Sequence, residues 1–160
     1  MRTRNRGLIY LIIGILILTL SACTPSEGGL PDTGDNQQPG AETDLANTRW
    51  RLVSYGEQGS ETQVIEATEV TLQFEDSNQA GGSGGCNTFG AQYEVLDGSI
   101  AFTQIISTEI ACTEDGIMEQ EQQYFQALQT AGEFELTGGQ LTIWYGDGQG
   151  VLNFVPMESS

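Results

Sequence analysis

Residues 133–155, EFELTGGQLTIWYGDGQGVLNFV, divide into three apolar–polar runs separated by two glycine-rich turns. The runs EFELT (133–137), QLTIWY (140–145) and GVLNFV (150–155) are rich in aromatic and branched side chains. Gly138-Gly139 and GDGQ (146–149) between them are turn sequences, so the stretch predicts an antiparallel meander. The same grammar extends towards the N-terminus. TFGAQYEV (88–95) and SIAFTQI (99–105) flank LDGS, a hairpin signal centred on Asp97-Gly98. In VTLQF (70–74), Val70, Leu72 and Phe74 alternate with Thr71 and Gln73, and TRWRLVSY (48–55) reads as an earlier strand. One segment breaks the period-two pattern. GIMEQEQQYFQALQTA, from about Gly116 to Ala131, places Ile117, Tyr124, Phe125 and Leu128 on one helical stripe that should pack onto the sheet. Asp115 is the expected cap, Glu119 and Glu121 suit the positive helix end, and Gly132 is the expected stop. The fold class is therefore mainly β with one helix (α+β), in one domain over 45–156 with a short tail at 157–160.

The beginning of the chain reads as an address. RTRNR (2–6) is a basic region and GLIYLIIGILILTL (7–20) an apolar run, followed by Ser21, Ala22 and Cys23. The apolar run falls short of the roughly 20 residues of a comfortable spanning helix. LSAC (20–23) resembles the bacterial lipobox: small residues fit a protease cleft, and the thiol of Cys23 takes up a diacylglyceryl group. Residues 1–22 then form a lipoprotein signal peptide, and Cys23 anchors the protein to a membrane through two or more acyl chains. The alternative is a retained helix that crosses with some bilayer thinning. Thr24 after the cysteine fits outer-membrane sorting in a Gram-negative cell. With one membrane, the same signal means the outer face of that membrane. Residues 23–44 hold prolines, glycines and acids, a composition expected to form a disordered tether with a reach of about 25 Å.

Beyond Cys23 the only cations are Arg49 and Arg51, against 22 acidic residues in the whole chain, all of them after Cys23. Such a surface repels phosphate backbones, so nucleic acid is excluded as a partner, and attraction to anionic head groups is disfavoured. Solubility explains the charge more simply than attraction of cations or of a basic partner. On a strand the two arginines share the face opposite Trp50. Pairing with nearby acids is expected, with an anionic ligand as the alternative. The chain contains no histidine. Ser-His-Asp and Cys-His catalysis and ordinary zinc sites are therefore unavailable.

The remaining motifs favour structure over chemistry. GGSGG (81–85) lacks the lysine and the following helix of a phosphate loop, so its glycines are expected to give positive φ for a bulge or flexible loop. Asp147 in GDGQG and the Glu114-Asp115 pair lack the alternating ligands of a calcium loop. Glu119 and Glu121, at i and i+2 on a helix, point to different sides and make no acid–base pair. Cys86 and Cys112 remain once Cys23 is acylated. In an exported chain an even pair reads as a disulfide, with two buried thiols or half a metal site as alternatives. Closing that loop would add about 3.5 kcal/mol on the chain-entropy account, less any strain.

Several of these segments together resemble the META domain family (HslJ-like): GGCNTFGAQYEV (84–95), STEIAC (107–112), MEQEQQYFQAL (118–128) and LTGGQLTIW (136–144), in that order. Trp50-x-Leu52 and VLNFV fit the start and end of the family pattern. The GGSGG stretch, as an insertion, and Ile110, where methionine is common, depart from it. The resemblance implies an antiparallel, strongly twisted, partly closed barrel-like sheet with a packed helix, and an envelope-associated role linked in some members to stress. It implies no catalytic residue, metal or cofactor. Gly85, Cys86, Asn87, Gly90, Thr108, Cys112 and Glu119 carry over as signature positions only. The expected protein is a monomer on the extracytoplasmic side of the cell envelope that binds and does not catalyse. Its partners would be the membrane, through the anchor, and an envelope protein or a small ligand. A ligand-holding barrel, or an inhibitor or chaperone-like partner of exported proteins, are the competing readings.

Overall fold

The structure, a computed structural model, describes residues 45–158. The expected signal peptide, the anchor Cys23, the whole of the tether and the last two residues of the expected tail lie outside the described residues. The described chain runs β1 (Arg49–Glu57), β2 (Thr62–Gln63), β3 (Thr71–Phe74), β4 (Gln79–Ser83), β5 (Thr88–Leu96), β6 (Ser99–Ser107), α1 (Ile117–Gln129), β7 (Ala131–Thr137), β8 (Gln140–Tyr145) and β9 (Gly150–Pro156). Every pairing is antiparallel, and β1 also pairs with β9, so β1 and β3–β9 close into an eight-stranded barrel with β2 as an outlying pair on β1. Closure removes the first and last strand edges, which would otherwise be templates for other chains. Trp50 lies opposite Pro156 at one end of this seam and Glu57 opposite Gly150 at the other.

The turns form as their sequences require. Asp97 and Gly98 take φ of 50° and 80°, and Gly138 and Gly139 take 62° and 77°, the positive pair that matches hairpin twist. Alternation then buries Leu141 and Ile143 of β8 and Phe89 and Tyr93 of β5. In β1 an extra residue between Leu52 and Ser54 shifts the pairing with β9, so the inward side passes from Trp50 and Leu52 to Tyr55. A similar irregularity carries β6 past Gln104, at φ 53°, and leaves Ile106 exposed outside the barrel. The interior is filled by Leu72, Phe74, Phe102, Tyr124, Leu152 and Phe154 with their neighbours, each such side chain contributing roughly 1.5–3 kcal/mol. Phe74 meets Tyr93 edge-on at 4.9 Å between ring centroids.

Four local expectations need correction. GGSGG is only in part a loop: Gly81–Ser83 belong to β4 and pair with Thr88–Gly90 of β5, while Gly84 and Gly85 form the turn that follows. The positive φ that glycine allows does occur, at Gly82 (152°) and Gly85 (110°), and close approach adds to the requirement, because a Cβ on Gly82 would collide with the Thr71 carbonyl oxygen. Asp115 does not cap α1. Gly116, at φ 82°, is the capping residue and no side chain bonds the first turn, since the left-handed turn at 116 leaves Asp115 one position too early. Gly132 does not end the helix. Thr130 does, its N–H bonding the Ala127 carbonyl oxygen at 3.2 Å, and Gly132 lies inside β7. Finally, Arg49 and Arg51 are exposed and form no ion pair with any described residue. Their cross-strand neighbours are Gln73, Thr71 and Val155, none of which is acidic.

Candidate functional site

Five of the seven signature positions, Gly85, Cys86, Asn87, Thr108 and Cys112, converge where α1 crosses the β4–β5 turn. The stripe predicted for α1 continues one step further than its apolar members. At i+4 from Ile117 and i−3 from Tyr124 stands Glu121, which is only 5% exposed. Its carboxylate accepts hydrogen bonds from the Asn87 backbone N–H at 2.6 Å, the Asn87 side-chain amide at 2.7 Å and the Cys86 N–H at 3.1 Å. Gly84 makes room for it, since a Cβ at that position would meet Glu121 Oε2 at 2.7 Å and the Phe125 ring at 2.8 Å. The adjacent Gln120 is buried as well. It accepts from the Ile65 N–H at 2.8 Å and donates to Thr68 Oγ1 at 2.9 Å. Tyr124 donates to the Thr71 carbonyl oxygen at 3.1 Å, and its burial pushes the phenol far above its ordinary range.

Asn87 links this carboxylate to the segment after β6. Its side-chain oxygen accepts from Thr108 Oγ1 at 2.8 Å and from the Ile110 N–H at 2.7 Å, while its amide donates to the Ile110 carbonyl at 3.0 Å. A bond between Cys86 and Cys112 (Cα–Cα 6.0 Å) ties the same two segments covalently. Gly85 holds the turn at φ 110°. Asn87, Thr108, Cys86 and Cys112 therefore form one strap, with Glu121 as its buried peg. Gly90 stands apart on β5 with open space around it, and Glu119 is exposed, one side of the helix away from Glu121.

Between the strap and α1 lies an open groove of about 660 Å³, lined by Ser107–Ala111 on one side and by Met118, Glu119, Phe125 and Gln126 among others on the helix. Ile110 and Met118 are 59% and 37% exposed beside it. No group of three metal-ligating side chains occurs among the described residues. Glu114, Asp115 and Asp147 are exposed, with Asp147 in a turn at φ 57°. No described helix is long and apolar enough to cross a membrane. Glu121 and Gln120 escaped the sequence reading as site residues because acids and amides on a helix read as a solvated face. Their place on the apolar stripe was the available signal.

These features define a small antiparallel barrel domain whose crossing helix pins a disulfide-tied strap. The META domain family matches residues 43–158, and the chain belongs to that family. Among solved structures, a protein from Burkholderia xenovorans determined by NMR is 25% identical with a TM-score of 0.63, covering 88% of this chain and 100% of that one. A second NMR structure is 19% identical (TM-score 0.56, 71% of this chain, 92% of that one). A crystal structure of a DUF4847 family protein from Bacteroides vulgatus is 12% identical (TM-score 0.53, 76% of this chain, 100% of that one). The last two show the fold alone. No curated protein matches the chain.

Proposed function

We propose that this protein is an exported, lipid-anchored META domain that works at the cell envelope by binding, not by catalysis. The observation that carries the export half is the Cys86–Cys112 bond, because disulfides persist in oxidising compartments. It adds to the basic, apolar and LSAC sequence that ends at Cys23. The binding half is supported by the state of the polar groups. The one buried carboxylate among the described residues, Glu121, is engaged by three N–H donors, which counts against a role as base or nucleophile. Without histidine, no nucleophile–base pair can be drawn. The filled interior counts against a ligand held inside the barrel and leaves the outer groove as the concave surface of interest. A role in envelope stress follows from the family resemblance. Metabolic labelling with a fatty-acid analogue should mark the wild-type chain and leave Cys23→Ser unmarked. An unlabelled wild type would overturn the anchor, and native thiols that alkylate without reductant would overturn the oxidised compartment.

A further inference from the structure

The groove beside the strap has a backbone template along one wall. Strand β6 pairs with β5 along its length, but with β7 only at Ser99 opposite Glu133, so beyond Ala101 its other edge has no strand partner among the described residues. The direction of the backbone groups follows from the bonds made. Thr108 N–H donates to the Thr88 carbonyl at 3.0 Å, and both backbone groups of Ile110 are held by the Asn87 side chain. In an antiparallel ladder, alternate residues face alternate sides. Thr108 turns towards β5 and Ile110 towards Asn87, so the same alternation, carried past the end of β6 at Ser107, sets the backbone groups of Ser107, Glu109 and Ala111 to face the groove they line. Asn87 thus holds Ile110, three residues beyond the end of β6, and the disulfide at Cys112 fixes the end of the segment.

We propose that the 107–111 edge binds an extended, lysine- or arginine-bearing segment of another polypeptide by strand addition. The inference rests on the reading of the domain as a binding module and names the kind of partner. Main-chain bonds to Ser107, Glu109 and Ala111 supply affinity, while Ile110, Met118 and Phe125 receive alternate apolar side chains. The sign of the partner's charge follows from the walls. Glu109 and Glu119 border the groove, Glu114 and Asp115 follow the strap, and the only described cations, Arg49 and Arg51, lie on β1. A second copy of this chain would bring two sets of these carboxylates together, so edge-to-edge dimerisation is disfavoured. Holding the template in place before binding reduces the ordering cost of the complex, which gives the strap a purpose beyond stability.

The test uses the full chain in neutral detergent micelles and fluorescent peptides of about ten residues. One alternates Lys and Val, one alternates Glu and Val, and a third is the Lys-Val peptide N-methylated at alternate residues, with charge and side chains kept. The Lys-Val peptide should bind, more weakly as salt rises, and the Glu-Val peptide should not. N-methylation should weaken binding by at least about ten-fold, as should Ser107→Pro, which removes an outward donor without touching the β5 ladder. Glu109→Gln with Glu119→Gln should weaken binding and flatten its salt dependence. Equal affinity for the N-methylated peptide overturns strand addition even where Ser107→Pro fails to fold. Binding of the acidic peptide, absence of Lys-Val binding at about 1 mM, or dimers in the peptide-free protein overturn the stated partner. A chain that takes fatty acid at Cys23 but no strand at 107–111 loses this inference and keeps its anchor.

Discussion

Replacing Glu121 by alanine removes the peg on which the strap hangs. The side chain is 5% exposed and receives three N–H donors at 2.6, 2.7 and 3.1 Å, two of them from Asn87. Each buried donor left without a partner costs about 1–3 kcal/mol. The Cys86 N–H is only part-buried and can turn to water, so the two Asn87 donors carry most of the cost. Lost packing of the side-chain methylenes against the Gly84 turn adds about 1 kcal/mol. The sum, about 3–7 kcal/mol, is a large share of the 5–15 kcal/mol typical of a domain. Urea unfolding of the oxidised protein should show the midpoint falling by about 2–4 M with an unchanged slope. Glu121→Gln keeps the shape but sets its own amide N–H groups against a donor, so it should fall between the two. A midpoint shift below about 0.5 M for Glu121→Ala would refute the peg. So would strict additivity with Asn87→Ala, because residues that share hydrogen bonds should couple.

Reducing Cys86–Cys112, or replacing both by alanine, should cost up to about 3.5 kcal/mol and raise amide hydrogen exchange first at residues 107–112. Uniform loosening of the barrel would contradict that order. Gly82→Ala should lower stability by at least about 3 kcal/mol, because its Cβ would collide with the Thr71 carbonyl. Gly90→Ala, in open space without positive φ, should stay within about 0.5 kcal/mol of wild type, and thermal melts decide both. The Tyr124 phenol is raised by burial, so the folded state holds its proton when the unfolded state has lost it. That contribution is present below the unfolded value near 10 and is lost as pH rises above it. Tyr124→Phe should lose about 1 kcal/mol at neutral pH with its bond to Thr71. It should also lose stability less steeply than wild type above pH 10, and parallel alkaline profiles would contradict the assignment.

The strands were legible wherever alternation and turn chemistry agreed. QLTIWY is β8 at its expected bounds, and the Asp97-Gly98 and Gly138-Gly139 turns have the positive φ that their residues suggest. β4 was not legible, because a run of glycines carries no alternation. Gly82 answers to the Thr71 carbonyl and Gly84, just after the strand, to α1, neighbours that the local run does not show. The disulfide was readable from an even pair of cysteines, yet its meaning required Asn87 and Ile110 beside it. Glu121 was read with Glu119 as a helix-end charge. Only the crossing of α1 over the 84–87 turn separates the two, burying one and leaving the other in water. The exposed edge at 107–111 was hidden for a similar reason: nothing in STEIAC (107–112) reveals that β7 diverges after one residue pair.

The seam between β1 and β9 sets Trp50 beside Pro156, so the domain's two ends leave from one rim. A body with that layout is a cassette. It can hang from a single stalk with its strands undisturbed, or be spliced into a surface loop of a host protein at little cost to either. Joining residues 45 and 158 through a short linker and reopening the ring at Gly138-Gly139 should give a circular permutant with the same barrel, since the cut falls on an exposed hairpin tip.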